Sequence, residues 1–367
     1  MLDLIKIRED LHRIPELGFL EHKTHACISE ALDRYPDLER ITFDVPGVLA
    51  VYRNGDGPFK LFRADMDALP IVETTGVSFS STHSGMMHAC GHDIHMTVLL
   101  GLIDQVCTQR LPGNFLFLFQ PAEEGRGGAR HILGAGHLDG FDIKACYALH
   151  VSGQYPVGTV ASRPGIFFGI PQEFKVTFCG QSAHAAFPHQ GNNALDAGVM
   201  FYQSMRAAMA QRFSPTDAVV FHVGRMTAGR VMNAVPDLCE IEGTTRSLTR
   251  ENRDLISHLI EHTALHASGA FELKGEVEFL ETFDPVMNDT TLLKAFRVHL
   301  PENVCFEEAP IVLTGEDFGF FTTRWPGLLF WLGAGVESGD LHTSTFLPHN
   351  DCIDVGVRAL ESLARSR

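Results

Sequence analysis

A chain of 367 residues, 45% apolar and 20% charged, is long enough for two domains and an ordinary buried core. Its formal charge of −16 argues against a nucleic-acid partner, because binding phosphates needs a basic face that releases counterions. No apolar run reaches membrane-spanning length and Met1 to Lys6 lacks the regions of a signal peptide, so a cytoplasmic protein with no membrane partner is expected.

Residues 4–36 read as helix, with Leu4, Ile7, Leu11 and Ile14 at helical spacing and a second periodic run after Pro15 carrying Ile28 and Leu32. Short apolar strands follow at 48–52 and 60–64, separated by the turn-forming run 54–58. A helix over about 93–106, a strand at 114–119, a helix near 127–135 and a strand at 145–149 continue the alternation. Alternating strands and helices imply an α/β class, with a mostly parallel sheet flanked by helices. From about 171 the style changes to period-two alternation, a long helix over 194–212, strands at 219–225 and 238–246, a helix over 250–267 and a strand near 272–280. This β-α-β-β-α-β order is that of an inserted, ferredoxin-like α+β domain. The expected division is 1–170 with 283–367 as one domain and 171–282 as the other. Eight cysteines show no paired spacing, so most are expected as buried thiols.

Five segments carry chemistry. His88-Ala89-Cys90-Gly91-His92-Asp93-Ile94-His95 puts thiolate and imidazole, both good ligands for zinc-like metals, where a loop gives way to a helix. Gln120-Pro121-Ala122-Glu123-Glu124-Gly125 follows an apolar strand, where one carboxylate can bind metal while its neighbour stays free to take a proton. Arg63-Ala64-Asp65-Met66-Asp67 offers carboxylates that can orient a ligand histidine. His150 lies just past a strand, and His342 sits in a polar stretch. A cysteine, three histidines and a glutamate at the ends of different strands make a two-metal centre the economical explanation. In the inserted domain, His184 stands among small residues and is a candidate oxyanion donor, while Asn233 and Arg246 are candidates for gripping a substrate carboxylate.

With these segments in order, the sequence resembles the amidohydrolase branch of the aminoacylase and metallo-carboxypeptidase superfamily, which includes hippurate hydrolases, auxin-conjugate hydrolases and N-acetyldiaminopimelate deacetylases. Segments 11–19, 184–189 and 315–318 carry the resemblance alongside the metal motifs, and 85–88, 314–319 and 326–333 look most like the deacetylases. The resemblance implies two divalent ions (Zn, Mn, Ni or Co), bridged by Cys90 and completed by His92, Glu124, His150 and His342. It implies Glu123 as general base and acid, Asp65 or Asp67 as the orienting carboxylate, and His184 acting in its own or a neighbouring subunit. The inserted domain becomes a lid and dimer contact, so a homodimer or homotetramer is expected, acting on an N-acyl amino acid. A broad-specificity aminoacylase shares the same motifs. Readings from other classes are a hydrolase in which Cys90 is the nucleophile, activated by His92 or His95, and an inactive binding protein.

Overall fold

The computed structural model describes residues 2–366. Two short helices, α1 (Leu4–His12) and α2 (His22–Leu32), open the chain, and the Asp3 carboxylate caps α1 by accepting from the Lys6 N–H at 3.1 Å. The expected helix over 4–36 is therefore interrupted, since Pro15 lacks an amide hydrogen and restricts the residue before it.

Next come β1 (Glu39–Thr42), β2 (Val48–Asn54), β3 (Phe59–Asp65), α3 (His92–Gln109), β4 (Gly113–Gln120), α4 (Gly128–Gly134), β5 (Ile143–Ser152), β6 (Thr159–Ser162) and β7 (Gly165–Phe168). The chain then runs through β8 (Ile170–Cys179), α5 (Ala194–Arg212), β9 (Val220–Ala228), β10 (Leu238–Ser247), α6 (Arg250–Ala270) and β11 (Lys274–Thr282). It closes with β12 (Val286–Asn288), α7 (Thr290–His299), β13 (Cys305–Glu308), α8 (Gly319–Arg324), β14 (Gly327–Gly333) and α9 (Cys352–Arg365).

Two compact units result. One comprises the chain through Phe167 together with Val286–Ile311 and the chain from Glu316, and the other comprises Phe168–Pro285 and Val312–Gly315. In the first, a ten-stranded sheet places β4, β3, β5, β14 and β12 side by side and parallel, with β2 antiparallel at β4. Strands buried on both faces read as continuous apolar runs, and the Phe115, Phe117 and Phe119 side chains of β4 are all buried with their neighbours. The helix α3 is buried nearly all round, as an apolar helix inside a core must be. The register sets Asp65 opposite Gln120 and His150 opposite Trp331, so the ends of adjacent parallel strands present polar residues together.

The second unit is an antiparallel sheet in the order β11-β8-β10-β9 with α5 and α6 packed on it, the ferredoxin-like arrangement. Phe174, Val176 and Phe178 alternate into a core with Phe201, Ile241, Ile256 and Ile260, which is the period-two pattern seen in the sequence. Sequence reading gave no strand for β1, β6, β7, β12, β13 or β14; the first five span three or four residues, too short for a periodicity to show, and β14 is a wholly buried apolar run of seven with no alternation to mark it.

Candidate metal centre and active site

Asp65 ends β3, the Glu123-Glu124 loop follows β4, His150 lies near the end of β5, and Cys90 and His92 flank the first turn of α3. Sites in open α/β sheets form beyond the carboxyl ends of the strands, and this one does. Gly91 makes the turn into α3. Its φ is +80°, and an added Cβ would lie 2.4 Å from Val151 Cγ2, so only glycine lets Cys90 and His92 turn in from one short segment. Two non-glycine residues also hold left-handed backbone here, Ala122 (φ 58°) just before Glu123 and His342 (φ 62°), a conformation that costs energy and persists where the surroundings impose it.

Cys90 Sγ lies 3.3 Å from His150 Nε2 and 3.3 Å from His342 Nε2, and His342 Nε2 lies 3.4 Å from Glu124 Oε1. The His342 N–H donates to Ala89 O at 2.9 Å, tying its loop to the Cys90 turn. Two histidines have their tautomers set by the main chain. His92 Nδ1 donates to Asp67 O at 2.8 Å and His150 Nδ1 donates to Val151 O at 2.8 Å, so each Nε2 presents a lone pair to the cluster. Potential ligand atoms of Cys90, His92 and His150 lie within 4.8 Å of one another, as do those of Cys90, Glu124 and His342, and Cys90 is common to both groups.

The two aspartates of the 63–67 segment do different things. Asp67 accepts the Glu123 and Glu124 amide hydrogens at 3.0 and 2.9 Å, clamping the loop that carries both glutamates. Asp65 accepts from His95 Nδ1 at 2.6 Å and from Arg63 Nη1 at 2.7 Å, and stands 3.7 Å from His92 Nε2. His95 Nε2 in turn accepts the Val151 amide hydrogen at 2.9 Å, beside His150.

Glu123 is buried among Glu316 and Asp317. Arg63 donates to Asp65, to Gln120 Oε1 at 2.9 Å and to Asp317 Oδ1 at 2.5 Å, and pairs with Glu316 at 3.2 Å. Burial first, then the neighbouring Glu316, Glu124 and Asp317, push the Glu123 carboxyl well above the usual carboxylate range, and burial pushes Asp317 up to about 8. Sequence reading gave His95 only as an alternative activator of Cys90, and it assigned no role to Arg63, Gln120, Glu316 or Asp317. The available signal was local, since Arg63 shares one face of β3 with Asp65, two residues on.

The remaining candidates lie in the second unit. His184 and Asn233 are exposed on neighbouring loop segments, where His184 bridges to Ala234 and Asn233 O accepts the Ala185 amide hydrogen at 2.9 Å. Arg246 is half-buried on β10, donating to Thr244 Oγ1 and to Thr245 O at 2.9 Å.

The donor set fits a pair of divalent cations on three observations. His92 Nε2 is buried with no hydrogen-bond partner, an orphaned polar atom that a bound cation would satisfy. Burial, Glu124 and Glu123 push the Cys90 thiol well up, so a thiolate there needs a cation. Burial alone would lower His92, yet Asp65 and Asp67 raise it to about 10, which marks the field as one that favours positive charge. Thiolate, imidazole and carboxylate together suit zinc-like transition metals.

Comparison with known proteins agrees. The model of Peptidase family M20/M25/M40 matches residues 61–366. N-acetyldiaminopimelate deacetylase of Bacillus subtilis (strain 168) is 38% identical over 363 residues, covering 98% of this chain and 96% of its own. The enzyme of that name from Ligilactobacillus salivarius (strain UCC118) is 37% identical, covering 100% and 97%. The crystal structure of the Bacillus subtilis YXEP protein, described as a dinuclear metal binding peptidase from the M20 family, superposes with a TM-score of 0.84 at 29% identity, covering 98% of this chain and 96% of that one. No described helix is long and apolar enough to cross a membrane. The chain belongs to peptidase family M20/M25/M40 and is a metallo-amidohydrolase of that family.

Proposed function

We propose that this chain removes the acetyl group from N-acetyldiaminopimelate, with two divalent ions held by Cys90, His92, Glu124, His150 and His342. The observation that carries the metal reading is Cys90 Sγ standing 3.3 Å from two imidazole nitrogens with Glu123 buried alongside. The substrate reading rests on relatives of that name, which match 97–100% of this chain. When bound, such ions polarise an amide carbonyl and lower the pKa of water.

The protein's own part centres on Glu123. Its carboxylate takes the proton of the attacking water and its carboxylic acid then protonates the departing amine, so each turnover returns Glu123 to its starting state. The Asp317 N–H donates to Glu123 Oε1 at 3.4 Å, and the Asp67 carboxylate holds the Glu123 amide, which together fix the carboxyl in direction. Asp65 orients His95 and, across 3.7 Å, faces His92. His184 donates to the developing oxyanion, and Asn233 and Arg246 grip the substrate carboxylate. No acyl-enzyme forms in this scheme, and Cys90 acts as a ligand. The rival in which Cys90 attacks is disfavoured by its raised pKa and by an environment of carboxylates.

The unit from Phe168 to Pro285 serves as lid and as the contact of a homo-oligomer. Its α5 exposes Leu195, Val199, Met200 and Tyr202, and the edge strand β9 exposes Val220 and Met226, apolar side chains suited to a partner copy. The enzyme acts in the cytoplasm. The test is a panel of N-acetyl amino acids, including N-acetyldiaminopimelate, with N-benzoylglycine, assayed on metal-reconstituted protein. N-acetyldiaminopimelate is expected to give the highest kcat/KM. Equal or better turnover of N-benzoylglycine would assign a broad-specificity aminoacylase or hippurate hydrolase instead.

A further inference from the structure

The helix α6 buries Ile256, Ile260, Ala264 and Ala267 on its inner side, and its outer side carries a row that neither the core nor the catalytic chemistry uses. Asp254, His258, His262 and His266 recur every four residues, which stacks them on one face a turn apart. All four are exposed. The His258 and His262 rings have centroids 4.0 Å apart with their planes inclined at 45°, and His262 and His266 are 6.4 Å apart. None of the three imidazoles has a hydrogen-bond partner among the described residues, whereas Asp254 pairs with Arg253 at 2.8 Å.

We propose that α6 carries a surface site for a divalent transition-metal ion, chelated by His258 and His262, separate from the Cys90 centre. Imidazole is the commonest protein ligand for such ions. Metal–nitrogen bonds are about 2.0–2.1 Å, so two rings in van der Waals reach are already near the separation that one shared ion imposes. Neither ring gives up an existing hydrogen bond to bind. His266, two turns beyond His258, is too far along the helix to reach an ion held by that pair. The ligand class follows from the donors: all-nitrogen ligation selects copper, nickel, zinc or cobalt over magnesium or calcium, with Cu²⁺ tightest in the usual order. An ion that bridges successive turns binds folded α6 and not the unfolded chain, so it also stabilises the second unit.

The experiment uses untagged, metal-loaded enzyme dialysed against micromolar Zn²⁺, with bound zinc counted per chain. The native protein is expected to hold one equivalent more than the His258→Ala/His262→Ala double variant, a difference that does not depend on how many ions the catalytic centre holds. The His266→Ala variant is expected to keep that equivalent, and its loss would move the site off the pair of His258 and His262. In Cu²⁺ EPR, nitrogen hyperfine structure from two imidazoles is expected in the native protein and absent from the double variant. Turnover of the double variant should equal that of the native enzyme, which shows that the fold and the Cys90 centre are intact. Equal zinc content in the two proteins at equal turnover would overturn the site.

Discussion

Glu123 is the residue on which the chemistry turns. Glu123→Gln keeps the shape and removes the proton acceptor, so turnover is expected to fall about 10²–10⁴-fold while metal content is unchanged. Retained turnover would remove Glu123 from the base role. Cys90→Ala is expected to lose bound metal, since its sulfur belongs to both ligand groups. A second buried glutamate makes a stability prediction. Glu21 accepts the Ala122 amide hydrogen at 2.8 Å, and burial followed by the Asp67 charge raises its pKa to about 8. Between the ordinary carboxylate pKa and about 8, the folded state holds a proton that the unfolded state has released, so stability falls as pH rises through that window. Glu21→Gln removes this dependence. Its Tm relative to the native protein is expected to rise from pH 5 to pH 8, and a constant difference would contradict the assignment. At this scale the sequence was legible where ligand chemistry was concentrated, as in Cys90-Gly91-His92 and Glu123-Glu124. The roles of Arg63, Glu316 and Asp317 were not legible, because a charged residue becomes informative only once the fold brings three carboxylates around one guanidinium.

At the scale of elements, the site depends on how two loops leave their strands. Gly91→Ala places a Cβ 2.4 Å from Val151 Cγ2 at a positive φ, and Gly128→Ala places one 1.8 Å from Pro121 O, which is backbone and cannot swing aside. Both are expected to cost roughly 1–3 kcal/mol, as overpacking in a tight interior does. Gly91→Ala is also expected to bind metal more weakly, because it moves Cys90 and His92 together. Equilibrium denaturation and metal analysis check both. The long elements were readable from periodicity, from the phenylalanine run of β4 to the alternation of β8. The strands of three or four residues were not, since they are set by partners distant in sequence.

For the molecule as a whole, the buried carboxylates around Arg63 and the Cys90 cluster are a concentration of negative potential that divalent ions would offset. Chelation is therefore expected to abolish activity and to lower Tm, with both restored by Zn²⁺, Mn²⁺ or Co²⁺. An enzyme indifferent to chelator would return Cys90 to the role of nucleophile. The most direct measurement is anomalous diffraction from metal-loaded crystals at the metal absorption edge. At the Cys90 cluster, two peaks about 3.5–4 Å apart, both within bonding distance of Cys90 Sγ, are expected, whatever a further peak on α6 shows. A single peak at this cluster, or none within bonding distance of Cys90, His150 and His342, would contradict the shared-thiolate centre.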